Sequence, residues 1–263
     1  MINSLVKVGI ICPCNIEYQS CKEILKLHNE TELAGRLISS RKEKDIEVIA
    51  IQAGPGKIQC ASATQLLIDK FNLNFVFDVG ASGSLSDDLN LYDIVCAEHS
   101  YEYDVCSNED FENIPEDLKT STVFSEVSSE EVLKEFSNWA KENMETIIKV
   151  GNIASGERNV DNKELRQKLH NKLDAIACNW ETSAVLKTAQ LNGIKSFSFR
   201  VITDNADDEM KDNLNANWKK ALEIMFTALN KFIYFVIRAY QGGIINGINR
   251  KASIRYRNWK INH

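Results

Sequence analysis

Little in this chain interrupts a fold. Only three prolines (Pro13, Pro55, Pro115) occur in 263 residues, no Gly/Ser-rich linker appears and no repeat of fixed period recurs. A chain of this length buries a substantial core, and the absence of a seam before residue 237 predicts one domain, 1–237. No apolar run reaches the ~18 residues of a membrane span, so no membrane partner is expected. The opening Met1-Ile-Asn-Ser-Leu-Val-Lys-Val lacks a basic n-region and a cleavage site, and a secretory signal is not expected either. The seven cysteines are odd in number, and Cys12, Cys60, Cys96 and Cys178 lie in apolar surroundings. They read as small buried hydrophobes of a reducing, cytoplasmic compartment. Cys12, Cys14 and Cys21 come nearest to a metal set, but no second cysteine pair completes it, and no metal is expected.

Positive charge is scarce in most of the chain. Residues 1–237 carry 25 Lys and Arg against 37 Asp and Glu, whereas 238–263 hold Arg238, Arg250, Lys251, Arg255, Arg257 and Lys260 and no acid. An acidic body argues against a nucleic-acid surface. The basic segment 238–263 lacks a helical or strand period and is read as a C-terminal extension, either free or docked on the acidic body.

What the chain does contain is alternation of strand and helix patterns. Strands are predicted at Val6–Cys12, Leu33–Ser40, Ile46–Ala53, Phe75–Gly80, Asp93–Ala97, Ile148–Ala154, Ala175–Cys178 and Ser196–Asp204. Helices are predicted at Glu17–Leu27, after Gly54-Pro-Gly-Lys57, and at Ser129–Asn143, Asn162–Asn171 and Glu181–Asn192. A long one is predicted at Lys211–Ile237, where apolar residues recur at helical spacing. Residues 101–127 are acidic and irregular, a surface excursion. The alternation predicts an α/β fold whose mixed or parallel sheet is covered on both faces.

The chemistry centres on Ser196-Phe-Ser-Phe-Arg-Val-Ile-Thr-Asp204, a strand pattern that ends in a carboxylate. Ligands of open α/β sheets bind at such strand ends, although an acid there also caps the next helix. Gly54-Pro-Gly-Lys57 lacks the spacing of a P-loop, and Gly80-Ala-Ser-Gly-Ser84, predicted as a loop, lacks that of a dinucleotide fingerprint. Glu17, Glu181, Asp204 and Asp207 all follow predicted strands, and Arg200 lies within one. Singly each acid reads as a cap or as solvated; with the glycine loops they read as one site, gathered at the edge of a parallel sheet.

The ordered set Val8-Gly-Ile-Ile with Glu17, Gly54-Pro-Gly-Lys57, Asp78-Val-Gly-Ala-Ser-Gly83, Ser155-Gly156, Trp180-Glu181 and Arg200-Val-Ile-Thr-Asp204-Asn-Ala-Asp207 resembles the nucleoside phosphorylase superfamily. Within it, the set is most similar to the 5′-methylthioadenosine/S-adenosylhomocysteine nucleosidase branch. The resemblance spans about residues 5 to 236 and implies a mixed, partly closed central sheet flanked by helices, a homodimer, a small nucleoside substrate and no metal or organic cofactor. By position, Asp204 resembles the acid that protonates adenine N7 and Glu17 the base that activates water. Glu181 resembles the carboxylate on the ribose hydroxyls, with Trp180 beside it, and Arg200 the residue that organises the water. Ala81, Ser82 and Gly83 fall on the substrate loop, and Ser155, Gly156, Asn159 and Val160 where the purine is cradled. The chain departs from the pattern at Asn179, usually glutamate, at Asn159, usually aromatic, and at Ala81, usually serine. Bacterial phosphorylases place an arginine and a serine where this chain has Asp78 and Ala81. A carboxylate there repels phosphate, which implies water as the nucleophile. A phosphorylase and a nucleoside-binding relative without turnover remain the alternatives. Asp204 serves as an acid only if burial raises its pKa.

Overall fold

The computed structural model describes residues 5–105, 119–121, 127–144 and 146–242. Its elements run β1 (Val6–Cys12), α1 (Asn15–Ile24), β2 (Asn29–Leu33), β3 (Arg36–Glu43), β4 (Ile46–Gln52), α2 (Lys57–Phe71), β5 (Phe75–Ser84), β6 (Ile94–Glu102), β7 (Lys119–Ser121), α3 (Val127–Asn143), β8 (Ile148–Ser155), α4 (Lys163–Leu173), β9 (Ala175–Asn179), α5 (Thr182–Leu191), β10 (Lys195–Asp204) and α6 (Met210–Gln241).

All the strands join one ten-stranded mixed sheet. β1 lies parallel between β4 and β5, and β5 is parallel to β10. β3 and β2 extend the β4 edge as antiparallel strands. At the other end the sheet curls back on itself. β10 pairs with β6, β6 with β8 and β8 with β9, and β9 returns antiparallel to the last residues of β5, Gly83 opposite Cys178 and Ser84 opposite Ala177. The sheet is therefore partly closed, and every residue of β10 is buried.

Helices cover both faces, which is why the central strands are apolar at successive positions. On one face Phe232 of α6 meets Phe77 and Phe197 edge-on and stacks on Phe199, with Phe136 of α3 alongside. On the other, α2 and α5 bury Cys60, Ala63, Leu67, Val185 and Ala189 against Val76 and Ile51. α6 repeats buried residues at helical spacing (Leu222, Phe226, Leu229, Ile233, Val236) over its 32 residues, about 48 Å of helix.

Four sequence expectations change. The strand predicted at 33–40 is a hairpin that turns at Ala34 and Gly35, both with positive φ (51° and 73°); alanine gives no signal for that conformation. The predicted loop Gly80–Ser84 continues β5, paired to β10 through Gly83. β6 runs on to Glu102, into the segment expected to be irregular, and β7 pairs with it; 106–118 and 122–126 lie outside the described residues. Finally, α6 passes the predicted boundary at 237 and ends at Gln241, and the rest of the proposed extension, 243–263, lies outside the described residues.

Candidate active site

The strand ends around the closed part of the sheet enclose a cavity of about 190 Å³. Cys14 and Glu17 enter from the start of α1, Ala81, Ser82 and Gly83 from β5, and Tyr103 from beyond β6. Arg158, Asn159 and Val160 follow β8, Trp180 and Glu181 follow β9, and Arg200, Thr203 and Asp204 come from β10. Met210, Leu214 and Trp218 of α6 complete the wall. The sheet thus gathers Glu17, Ala81, Ser82, Gly83, Asn159, Val160, Trp180, Glu181, Arg200 and Asp204. Glu181 arrives on a strand antiparallel to β5, so closure of the sheet brings the acids together, not the edge of a parallel set.

Three expected site residues, Ser155, Gly156 and Asp207, do not line the cavity. Ser155 is fully buried behind the wall, and its Oγ accepts the Ser183 N–H at 3.2 Å, tying β8 to the first turn of α5. Asp207 accepts the Glu209 N–H at 3.1 Å and serves the loop into α6. Gly156 is needed for close approach, since a Cβ there would lie 2.8 Å from the Tyr103 ring. Asn179, one of the departures, fixes the Glu181 turn: its Oδ1 accepts the N–H groups of Glu181 (3.0 Å) and Thr182 (2.9 Å), and its Nδ2 donates to Ser82 Oγ and Thr182 Oγ1.

Arg200 and Asp78 form the electrostatic centre of the site. Asp78 is fully buried and accepts Thr182 Oγ1 at 2.6 Å, Ser198 Oγ at 2.9 Å and Arg200 Nε at 2.9 Å, and also pairs with Arg200 Nη2. Arg200 Nη1 turns the other way, to Glu181 Oε2 at 3.3 Å and the Ala81 carbonyl at 3.4 Å. Burial alone would lower the pKa of the guanidinium, but the charges of Asp78 and Glu181 raise it, so Arg200 stays cationic.

The carboxyl groups on the cavity are held differently. Glu17 accepts the Cys14 N–H at 2.8 Å on one oxygen and the Ala81 N–H at 3.0 Å on the other. Its pKa rises to about 7, chiefly by burial and partly by the charge of Glu181, against the lowering pull of Arg200 and the two N–H groups. Burial also raises Glu181, although Arg200 and the Gly56 N–H, which donates at 3.1 Å, oppose it. Asp204 is raised by burial, with Asp207 adding to the shift and bonds from the Ala206 N–H (3.0 Å) and Thr203 Oγ1 (2.9 Å) opposing it. The cavity therefore presents one carboxyl that can exchange a proton near neutrality and a second, Asp204, held above the usual carboxylate range by burial, the pairing that general acid–base chemistry requires.

Met210, Leu214 and Trp218 escaped the sequence reading. Leu214 and Trp218 belong to the apolar stripe of α6 and read there as core; their i, i+4, i+8 spacing directly after the Asp204 loop was the available signal. Among the described residues no group of three or more His, Cys, Asp or Glu side chains is placed to hold a metal ion.

A family model described as the phosphorylase superfamily matches residues 7–234. A 5′-methylthioadenosine/S-adenosylhomocysteine nucleosidase of Buchnera aphidicola subsp. Acyrthosiphon pisum is 28% identical over 236 residues, 88% of this chain and 97% of the relative. One from Staphylococcus epidermidis is 28% identical over 204 residues, 76% of this chain and 87% of that one. The native structure of futalosine hydrolase of Helicobacter pylori is similar with a TM-score of 0.78 at 26% identity, covering 88% of this chain and 98% of the other. A crystal structure of the nucleosidase of the same organism gives a TM-score of 0.78 at 24% identity over 88% and 99% of the two chains, a likeness of fold. The family match covers nearly all of the sheet and the helices that pack on it, and the chain belongs to the phosphorylase superfamily.

Proposed function

We propose that the protein hydrolyses the N-glycosidic bond of 5′-substituted adenine nucleosides of the methylthioadenosine and S-adenosylhomocysteine type, releasing adenine. The observation that carries this reading is the presence of Glu17 and Asp204 in one cavity with both carboxyls raised by burial. Breaking the bond between C1′ and N9 leaves its electron pair on the base and positive charge on the sugar. A protonated Asp204 delivers its proton to N7 of the departing base, so that adenine leaves neutral. The carboxylates of Glu17 and Glu181 stabilise the cationic sugar. Water then bonds to C1′ and yields a proton to Glu17, whose pKa of about 7 suits a base at neutral pH. Glu181 accepts hydrogen bonds from the ribose hydroxyls, and Asn159 and Val160 flank the purine.

The nucleosidases of Buchnera and Staphylococcus support the substrate class. The futalosine hydrolase likeness makes futalosine the natural comparison substrate. The same reading takes the protein to be a homodimer in the cytoplasm. Incubation with methylthioadenosine, with and without phosphate, tests it. Free adenine without phosphate is expected; a phosphate requirement supports a phosphorylase, and binding without release supports a nucleoside-binding protein.

A further inference from the structure

Asp78 does not line the cavity, yet its charge decides what the cavity holds. Arg200 stands opposite Gly80 in the β5–β10 ladder, and Asp78 precedes Gly80 by two residues on the same face of β5. A Cβ at Gly80 would lie 2.8 Å from Arg200 Nη1; without it, the guanidinium lies across the strand and reaches Asp78 diagonally. Its Nε and Nη2 then face the carboxylate as a two-pronged fork, the geometry by which arginine otherwise grips a phosphate. The remaining Nη1 is shared by Glu181 and the Ala81 carbonyl. The other arginine lining the cavity among the described residues, Arg158, is exposed, and Lys57, two residues beyond Pro55 of the cavity wall, is engaged by Asp104 at 2.5 Å.

We propose that Asp78 is the specificity-determining residue that keeps phosphate out of this site: it fills the fork of Arg200 and offsets its charge, so that among the described residues the sugar side of the cavity offers an oxyanion no free cation. Water is neutral and loses nothing by this arrangement, whereas phosphate would meet the carboxylates of Glu17 and Glu181 without compensation. The inference rests on the N-glycosidase reading above and names how that site selects its nucleophile. A buried ion pair with a purely structural role would leave phosphate affinity unchanged when the charge is removed.

The test is calorimetric titration of inorganic phosphate into the full-length, substrate-free protein and into Asp78→Asn. The amide preserves shape: its oxygen accepts from Arg200 Nη2, and its NH₂ donates to the hydroxyls of Thr182 and Ser198, which can turn to accept, while the Nε–H of Arg200 loses its acceptor. Arg200 then loses one of its two carboxylate partners and keeps Glu181, and phosphate should bind roughly tenfold or more tightly, the factor that ~1.4 kcal/mol represents. The wild type should show no saturable binding. A folded Asp78→Asn that binds phosphate no better than wild type overturns the inference, as does saturable binding to the wild type. Asp78→Ser, whose hydroxyl joins those of Thr182 and Ser198, gives the same readout if the amide variant does not fold. If adenine release without phosphate persists while the titration fails, the inference alone falls; if adenine release is absent, the reading beneath it falls too.

Discussion

Replacing Glu17 by glutamine should stop turnover without unfolding the protein, and the two costs can be worked out separately. Each oxygen of Glu17 accepts one backbone N–H, from Cys14 at 2.8 Å and from Ala81 at 3.0 Å. The amide offers one acceptor, so one buried N–H loses its partner, a penalty of ~1–3 kcal/mol. Against this, wild-type Glu17 has a folded pKa of about 7 in place of 4.5, so ionising it costs about 3 kcal/mol more in the fold than in the unfolded chain. The sign follows from the raised value: the contribution of Glu17 to stability is fully present below 4.5 and is lost as pH rises through about 7. Urea unfolding should show that wild-type decline across the interval, and Glu17→Gln should lack it. Above neutrality the two terms nearly offset each other, and the variant remains folded. Its adenine release should fall by ~10²–10⁴ while nucleoside binding persists, and wild-type activity should rise with pH through about 7 as the base ionises. A variant within ~10-fold of wild type, or a wild-type profile flat across neutrality, would refute the assignment.

Asp204→Asn keeps partners for the Ala206 N–H and the Thr203 hydroxyl, so it should retain the native melting temperature and lose more than ~10² in base release; a smaller loss counts against the general-acid role. Because the Asp204 pKa is raised, wild-type activity should also fall on the alkaline side as that proton is lost, and a pH profile with no such limb would contradict the role. Gly80→Ala puts a methyl 2.5 Å from Glu17 Oε1 at a residue with φ +141°, and should lower both the melting temperature and turnover; no change in either would show that the strand accommodates a side chain. Truncation after Gly242 retains Gln241 and its hydrogen bond to Asp45 and should preserve activity and oligomeric state, whereas an inactive or insoluble product would make 243–263 part of the working structure.

The sequence by itself determined the strands that alternate or run apolar, the long stripe of α6, and the position of Asp204 at the end of a strand, because these patterns are set by neighbours a few residues apart. It also marked Gly80 and Gly83 as special, but for the wrong reason. Gly80 read as the end of a strand and Gly83 as part of the loop after it, whereas both lie within β5 and lack side chains because Glu17, Arg200 and Asp204 press on that strand from segments far away in sequence. Ser155 shows the converse: a residue at a motif position whose hydroxyl the fold spends on the start of α5. Only the tertiary structure decided that β9 closes the sheet in the antiparallel sense and carries Glu181 to the cavity, that Met210, Leu214 and Trp218 line it, and that Asp78 engages Arg200 across Gly80. Those facts depend on which strand pairs with which and in what register, and pairing between residues 122 positions apart leaves no local pattern in the chain.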